Sequence, residues 1–163
     1  MTRDPINEAH RQWVAHGWPD AADGMAMVTS VVRAQQLLME RIDGVLRPRG
    51  LTFARYEVLR LLSFAREGAL PMSRLGSLLQ VHPTSVTSAV DRLVAQGYVE
   101  RVRGDADRRV VRAVLTGAGR EAVEEATAAL NREVFEAPGL PEGDVRELTD
   151  RLTALRAGLG DGL

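Results

Sequence analysis

Short hydroxyl side chains and an arginine recur along residues 83–97, PTSVTSAVDRLVAQG. At about 100° per residue, the apolar side chains share one face of a helix, namely Val86, Ala89, Val90 and Leu93. The other faces carry Thr84, Ser85, Thr87, Ser88 and Arg92. Short hydroxyls allow close approach to base edges in the major groove of DNA, and a guanidinium can bond guanine or phosphate. The pattern is typical of a DNA-reading helix, although a solvated surface helix has the same residue types.

The boundaries of this helix are marked in the sequence. Pro83 suits the first helical position, where its missing N–H is harmless, and Gly97 favours termination. A shorter helical pattern, SRLGSLLQVH, precedes it at residues 73–82 and includes Arg74. We expect the two helices to form a helix-turn-helix, with Arg74 as a further DNA contact.

An arginine-rich β-hairpin is predicted directly after the helix pair, over residues 98–115. Its strands, residues 98–103 and 109–115, alternate and are rich in β-branched residues, and the GDADR segment between them favours a turn. Five arginines cluster here, namely Arg101, Arg103, Arg108, Arg109 and Arg112. Guanidinium groups suit the negative potential of a narrow minor groove, and Asp107 is close enough in sequence to brace Arg109. The alternative is an ordinary charged surface hairpin, whose exposed ion pairs contribute little.

Two helices followed by a hairpin are the order of a winged helix-turn-helix, in which the hairpin, residues 98–115, is the wing. Three segments resemble the MarR (multiple antibiotic resistance regulator) family of bacterial transcription regulators. They are GLTFARYEVLRLL at residues 50–62, the helix pair, and DRRVVRAVLTGAGR at residues 107–120. The last is similar to the wing motif of the family, with an Asp, arginines, alternating apolar residues, then Leu-Thr and a Gly three residues after the Thr. The resemblance covers roughly residues 25–160.

This resemblance implies a repressor that is released by a small effector and that binds double-stranded DNA as a homodimer on a pseudo-palindromic operator. The DNA contacts expected from the resemblance and the patterns are Thr84, Ser85, Thr87, Ser88, Arg92, Arg74, Arg103, Asp107, Arg108 and Arg109. His82 departs from the Asp or Ser common at that helix cap, which leaves open whether it caps the helix or touches phosphate. The alternative function is a winged-helix protein-interaction module without DNA binding, which would more often expose apolar residues on the reading face.

The resemblance also implies a small aromatic or anionic effector, bound between the dimer helices and the DNA-reading lobe. In a urate-responsive subgroup of the family, a Trp on a longer N-terminus, an acidic residue and two arginines hold the ligand. Trp13, Glu57 and Arg101 match three of these positions, and Ala89 stands where the second arginine is expected. We therefore expect a ligand site without expecting urate. The alternatives are a packing role for Trp13 and a solvated helix position for Glu57.

The expected fold is mainly α with a small β wing, in one domain of residues 1–163. Residues 1–20 form an N-terminal extension, and residues 50–115 form the DNA-binding lobe. The dimerisation helices lie on both sides of this lobe, at residues 21–48 and 117–163. Thr52 and Thr116 are predicted caps of helices that extend to about residues 64 and 135. An apolar stripe in the last helix predicts an intersubunit seam, namely Val145, Leu148, Leu152, Leu155 and Leu159.

The charge distribution agrees with DNA as the partner although the net charge is −1. Residues 73–116 hold seven arginines against four acidic residues, whereas residues 117–163 hold five against ten. The positive charge therefore lies on the predicted reading elements, and that local patch is what matters for phosphate binding.

Other function classes have little support. The absence of cysteine excludes disulfides and thiolate metal sites, and His10, His16 and His82 are too scattered for a metal pair. No nucleophile, base and orienting group form one constellation, so we expect no enzymatic activity, metal or cofactor. The sequence shows neither a signal peptide nor an apolar run of membrane-spanning length, which predicts a cytoplasmic protein that is nucleoid-associated when bound to DNA.

Overall fold

The computed structural model describes residues 4–79, 83–104 and 109–162, except for the side chains of Pro83 and Thr84. The chain divides into two compact units, Met1–Gly44 and Val45–Leu163, where the sequence predicts one domain. The predictions for His82, Asp107 and Arg108 concern residues outside the described ranges.

The first unit is built from two helices, α1 (Pro5–Ala15) and most of α2 (Pro19–Leu46). The Asp4 carboxylate caps α1 by accepting a 3.1 Å hydrogen bond from the Ile6 N–H. Between the helices, Trp13 and Trp18 pack edge to face with ring centroids 5.5 Å apart. This contact supports the packing role that the sequence leaves open for Trp13, since aromatic pairs favour this geometry.

In the described part of the second unit the α-helices are α3 (Phe53–Phe64), α4 (Met72–Leu79), α5 (Pro83–Ala95), α6 (Gly117–Leu130) and α7 (Glu142–Gly158). Both predicted threonine caps are confirmed. Thr52 accepts from the Arg55 N–H at 3.3 Å, and Thr116 accepts from the Gly119 N–H at 3.0 Å. Beyond α6 the chain continues as a π-helical turn over Asn131–Phe135, so the helix expected to run to residue 135 changes its hydrogen-bonding pattern in its last turn.

A three-stranded antiparallel sheet contains the predicted hairpin and one strand that the sequence analysis missed. Its strands β1 (Ala69–Pro71), β2 (Val99–Arg103) and β3 (Val111–Leu115) lie in the order β1-β3-β2. Within the hairpin, Arg101 pairs with Ala113 and Arg103 with Val111. The missed strand β1 has three residues and ends in proline, so it is too short to show the alternation that marks a strand.

The core of the second unit lies where α3, α4, α5 and α6 meet the sheet. Its fully buried side chains include Leu59, Leu62, Leu75, Val90, Leu93, Val99, Ala113, Val123 and Leu130. The end of α5 is set by Gly97, whose φ of 76° is the left-handed conformation that a glycine adopts easily. The Gly97 and Tyr98 N–H groups then bond the Val94 and Leu93 carbonyls at 3.0 Å. This C-cap directs the chain straight from α5 into β2.

Two kinds of feature do not occur in the part of the chain that the structure describes. No helix there is both long and apolar enough to cross a membrane. Nor does that part contain three His, Asp or Glu side chains placed to hold a metal ion. The two described histidines make local contacts instead, since His10 Nε2 lies 2.8 Å from Asp23 and His16 Nδ1 lies 2.7 Å from the Gln12 carbonyl oxygen.

Candidate nucleic-acid interface

Helix α5 is amphipathic in the structure, as its sequence periodicity predicts. Its buried face consists of side chains that are 8% exposed or less, namely Val86, Ala89, Val90 and Leu93. Its exposed face carries Ser85, Thr87, Ser88, Asp91 and Arg92. Thr84 occupies a helical position at the start of α5, and its side chain lies outside the described part. These five side chains are polar or charged, whereas Val94 near the end of the helix is apolar and 40% exposed. The polar surface that a nucleic-acid groove can approach therefore lies along residues 85–92 of α5.

A groove runs between the N-terminal end of α3 and the exposed side of α5. We call it the α3–α5 groove, and it has a volume of about 470 Å³. Its lining residues are Thr52, Ala54, Arg55, Ser85, Ser88, Ala89 and Arg92. The groove therefore brings three of the predicted DNA contacts, Ser85, Ser88 and Arg92, together with an arginine from a different helix.

Arg55 is the residue of this groove that the sequence analysis missed. Its Nη1 donates to the Gly50 carbonyl oxygen at 3.0 Å and to Gln96 Oε1 at 3.2 Å. Gln96 Nε2 in turn donates to the same Gly50 oxygen at 2.8 Å. A signal was present in the sequence, because an arginine three residues after the cap Thr52 sits at a helix N-terminus, where the macrodipole disfavours a cation. Such a position suggests that Arg55 has a role other than stabilising α3.

A second groove separates α4 from α5 and contains Thr87. Its volume is about 580 Å³, and its lining residues are Met72, Ser73, Gly76, Ser77, Val86 and Thr87. Arg74 is exposed on α4, and its backbone carbonyl accepts a 2.9 Å hydrogen bond from the Ser77 hydroxyl. The predicted contacts on α4 and α5 thus lie on neighbouring helices of one unit.

The described part of the wing places Arg103 on β2 and Arg109 just before β3, both with exposed side chains. At the turn end of the two strands, the Gly104 N–H donates to the Val110 carbonyl oxygen at 2.9 Å. The predicted brace between Asp107 and Arg109 involves a residue outside the described ranges, so it stays a prediction.

Arg101 is paired with a residue of α5. Its Nη1 lies 2.6 Å from Asp91 Oδ1, and this ion pair joins the wing to the exposed face of the helix. The family resemblance also implies a ligand site that Arg101 shares with Trp13 and Glu57. Trp13 belongs to the other compact unit, so a ligand site shared by these three residues stays a prediction.

Glu57 lines an open cavity of about 280 Å³ in the second unit. The lining residues come from α3, the end of α4 and the π-helical turn, namely Phe53, Tyr56, Glu57, Arg60, Leu61, Leu78, Leu79 and Phe135. Burial raises the pKa of the Glu57 carboxyl above its ordinary value, because desolvation disfavours the charged form. Glu57 is therefore half-buried in a largely apolar cavity rather than a fully solvated helix residue.

Arg60, the cation on the wall of this cavity, is already engaged by protein groups. Its Nη1 and Nη2 donate to the two Glu124 carboxylate oxygens at 3.0 and 3.3 Å, and it also bonds the Thr127 hydroxyl at 2.9 Å. The Tyr56 hydroxyl lies 3.0 Å from the same Thr127 oxygen. The cavity wall is thus held by a network between α3 and α6 in which Glu124 neutralises Arg60.

The chain is similar in sequence and in structure to proteins of one family. Residues 49–110 match the sequence model of the MarR family. The crystal structure of Sco5413, a MarR family transcriptional regulator from Streptomyces coelicolor, is 44% identical, covers 86% of this chain and 97% of its own, and has a TM-score of 0.76. Sco3205 from the same organism is a MarR family transcriptional regulator whose crystal structure was solved in complex with DNA. It is 24% identical, covers 86% of this chain and 90% of its own, and has a TM-score of 0.75, which shows that the two proteins share a fold.

The curated relatives are similar over a shorter segment. YhbI of Bacillus subtilis, an uncharacterised HTH-type transcriptional regulator, is 34% identical over 52% of this chain and 54% of its own length. The chain spans about half the length of the curated relatives that it matches.

Proposed function

The chain belongs to the MarR family of transcriptional regulators, and on that premise we propose that it binds duplex DNA as a homodimer and acts as an effector-released repressor. The observation that carries the proposal is the exposed face of α5, where Ser85, Ser88 and Arg92 share one groove with Arg55 of α3. A protein-docking surface would expose apolar side chains at these positions. The polar face favours DNA over the alternative of a protein-interaction module.

In this proposal α5 enters the major groove, and the α3–α5 groove receives the adjacent phosphate backbone. Arg55 and Arg92 supply positive charge from its two sides, and Ser85 and Ser88 supply hydrogen-bonding hydroxyls. The bonds from Arg55 to Gly50 and Gln96 hold its side chain on the groove wall before DNA arrives. Less side-chain entropy is then lost on binding. Arg103 and Arg109 of the wing would reach the neighbouring minor groove.

The apolar surface that each unit exposes supports the proposed homodimer. On α2 these side chains include Val28, Val31, Val32, Leu37 and Leu38, and on α7 and its C-cap they include Leu148, Leu152 and Leu159, with exposed fractions between 37% and 79%. Contiguous exposed apolar side chains mark association surfaces. A two-fold dimer would present two copies of α5, which fits a pseudo-palindromic operator.

The cavity beside Glu57 is the site that we propose for the effector. Its aromatic and leucine lining favours a small aromatic molecule. Since Glu124 neutralises Arg60 and Glu57 adds a carboxyl group, the wall favours a neutral ring with a hydrogen-bonding group over an anion. The α3 residues of the cavity precede or follow Arg55 by a few positions, so a ligand there acts on the helix that also forms the α3–α5 groove.

The test is selection of duplexes from a random-sequence library by the purified protein, followed by titration at several salt concentrations. We expect an enriched inverted repeat, and an affinity that falls with salt by a log–log slope of about −0.9 for each phosphate contacted. Arg92→Ala should weaken binding, whereas the control Arg132→Ala removes an equal charge from the exposed Arg132 beyond α6 and should not. If selection enriches no sequence and wild-type protein binds no duplex, DNA is not the partner.

A further inference from the structure

Asp91 is an acidic residue in the middle of the surface proposed to face DNA. At helical spacing it lies one turn after Ser88 and next to Arg92, opposite the buried face of α5. Its side chain is 56% exposed, and its Oδ1 is 2.6 Å from Arg101 Nη1. A carboxylate in this position opposes the approach of phosphate groups, so its presence calls for a physical reason.

The strand geometry shows what the Asp91 carboxylate does to Arg101. Side chains alternate along β2, so Arg101 and Arg103 project from the same side of the strand and Glu100 from the other. Arg101 is therefore on the same side as an exposed wing arginine proposed to contact DNA. Its contact with Asp91 directs its guanidinium toward α5.

Stability gives a weak reason for this ion pair. The Asp91 and Arg101 side chains are 56% and 35% exposed, and ion pairs between exposed side chains contribute little to folding. Replacing both charges by neutral side chains should therefore change the free energy of unfolding little. The position of the pair on the DNA-facing surface points to a role in binding.

We propose that Asp91 is a specificity determinant, which holds Arg101 off the phosphate backbone and so limits binding to DNA of any sequence. This inference rests on the proposed function. Sequence-independent affinity comes almost entirely from cation–phosphate contacts, and specificity is the ratio of operator to non-operator affinity. Holding one cation away from the DNA-facing surface lowers the affinity for non-operator DNA and leaves the base contacts unchanged.

The test compares Asp91→Asn with the control Glu100→Gln on the selected operator and on a scrambled duplex. Both substitutions remove one negative charge, one from α5 and one from β2, but Asp91→Asn alone releases Arg101. We expect Asp91→Asn to bind the scrambled duplex about threefold or more tightly than Glu100→Gln does. Its salt slope on that duplex should be steeper by about 0.9 for each protomer in contact, and its operator-to-scrambled ratio should fall. Asp91→Glu keeps the carboxylate and should restore the wild-type ratio.

The same comparison in an Arg101→Gln background isolates the released arginine. Since this background has no arginine to release, Asp91→Asn and Glu100→Gln should then change the affinity for the scrambled duplex equally. Equal effects of Asp91→Asn and Glu100→Gln in the wild-type background would overturn the inference while leaving DNA binding intact. A selective loss of operator affinity in Asp91→Asn would overturn it too, since Asp91 would then contact a base. Wild-type protein that binds neither duplex would overturn the proposed function, and this inference with it.

Discussion

Gly119 lies so close to Tyr98 that a Cβ atom at position 119 would be 2.1 Å from the Tyr98 carbonyl oxygen. The same oxygen accepts a 3.1 Å hydrogen bond from the Thr116 N–H, and the Thr116 hydroxyl donates to the Gly97 carbonyl oxygen at 2.7 Å. These contacts join the end of α5, the end of the wing and the start of α6. They explain physically why a Leu-Thr pair with a glycine three residues after the threonine follows the hairpin.

Replacing Gly119 by alanine should therefore destabilise the second unit. The added methyl group meets backbone, which cannot move aside cheaply, and overpacking of this kind costs about 1–3 kcal/mol. The measurement is the free energy of unfolding in urea. Gly117→Ala is the matched control, because nothing lies within 4 Å of a Cβ at that position of the same helix. Equal stability of the two variants would show that the Gly119 contact is not tight in solution.

Glu57→Gln should change how stability depends on pH. Burial raises the folded-state pKa of Glu57 above its unfolded value, so the folded protein holds this proton more tightly than the unfolded chain does. Wild-type protein should then lose stability relative to Glu57→Gln as the pH rises from about 4, the ordinary range of a glutamate, toward neutrality. Thermal midpoints of both proteins between pH 4 and 7 measure this difference. A difference that stays constant over that range would contradict a desolvated carboxyl group.

Arg109→Ala and Ser88→Ala should impair DNA binding in different ways. An arginine in the minor groove senses electrostatic potential and groove width, so Arg109→Ala should weaken all duplexes and reduce the salt slope by about 0.9 for each lost contact. Ser88 faces the major groove in our proposal, so Ser88→Ala should alter preference among half-site sequences at nearly constant slope. Titrations on operator and scrambled duplexes at two salt concentrations separate the two. Wild-type behaviour of Arg109→Ala in all conditions would exclude the wing from the interface.

Leu148→Asp combined with Leu152→Asp should give folded monomers. Both leucines are exposed on α7, at 46% and 37%, so the protomer core is untouched while a charge enters the proposed seam between subunits. Sedimentation measures the assembly state, and circular dichroism confirms the fold. As a control, Ala154→Asp adds one carboxylate on the other side of α7 and should leave the dimer intact. A double variant that remains a dimer would place the seam elsewhere.

Local patterns in the sequence were sufficient for most of the secondary structure. The 3.6-residue period of α5, the caps Thr52 and Thr116 and the alternation of the wing strands each depend on neighbours a few residues apart, so they are legible in the chain. The order of these elements, together with the wing motif, was sufficient to indicate the family. The length of α2 and the end of α5 at Gly97 are likewise set by residues that are close together in the sequence.

Tertiary structure decided which side chains meet, because such contacts join residues that are far apart in the chain. The network of Arg55 with Gln96 spans 41 positions, and Tyr56 meets Thr127 across 71. Strand β1 exists because β3 offers it a partner, since its three residues carry no pattern of their own. The pairing of Arg101 with Asp91 depends on how the wing packs beside α5, which sequence periodicity does not encode. Sequence patterns indicated the reading elements, and packing decided which of their charges oppose one another.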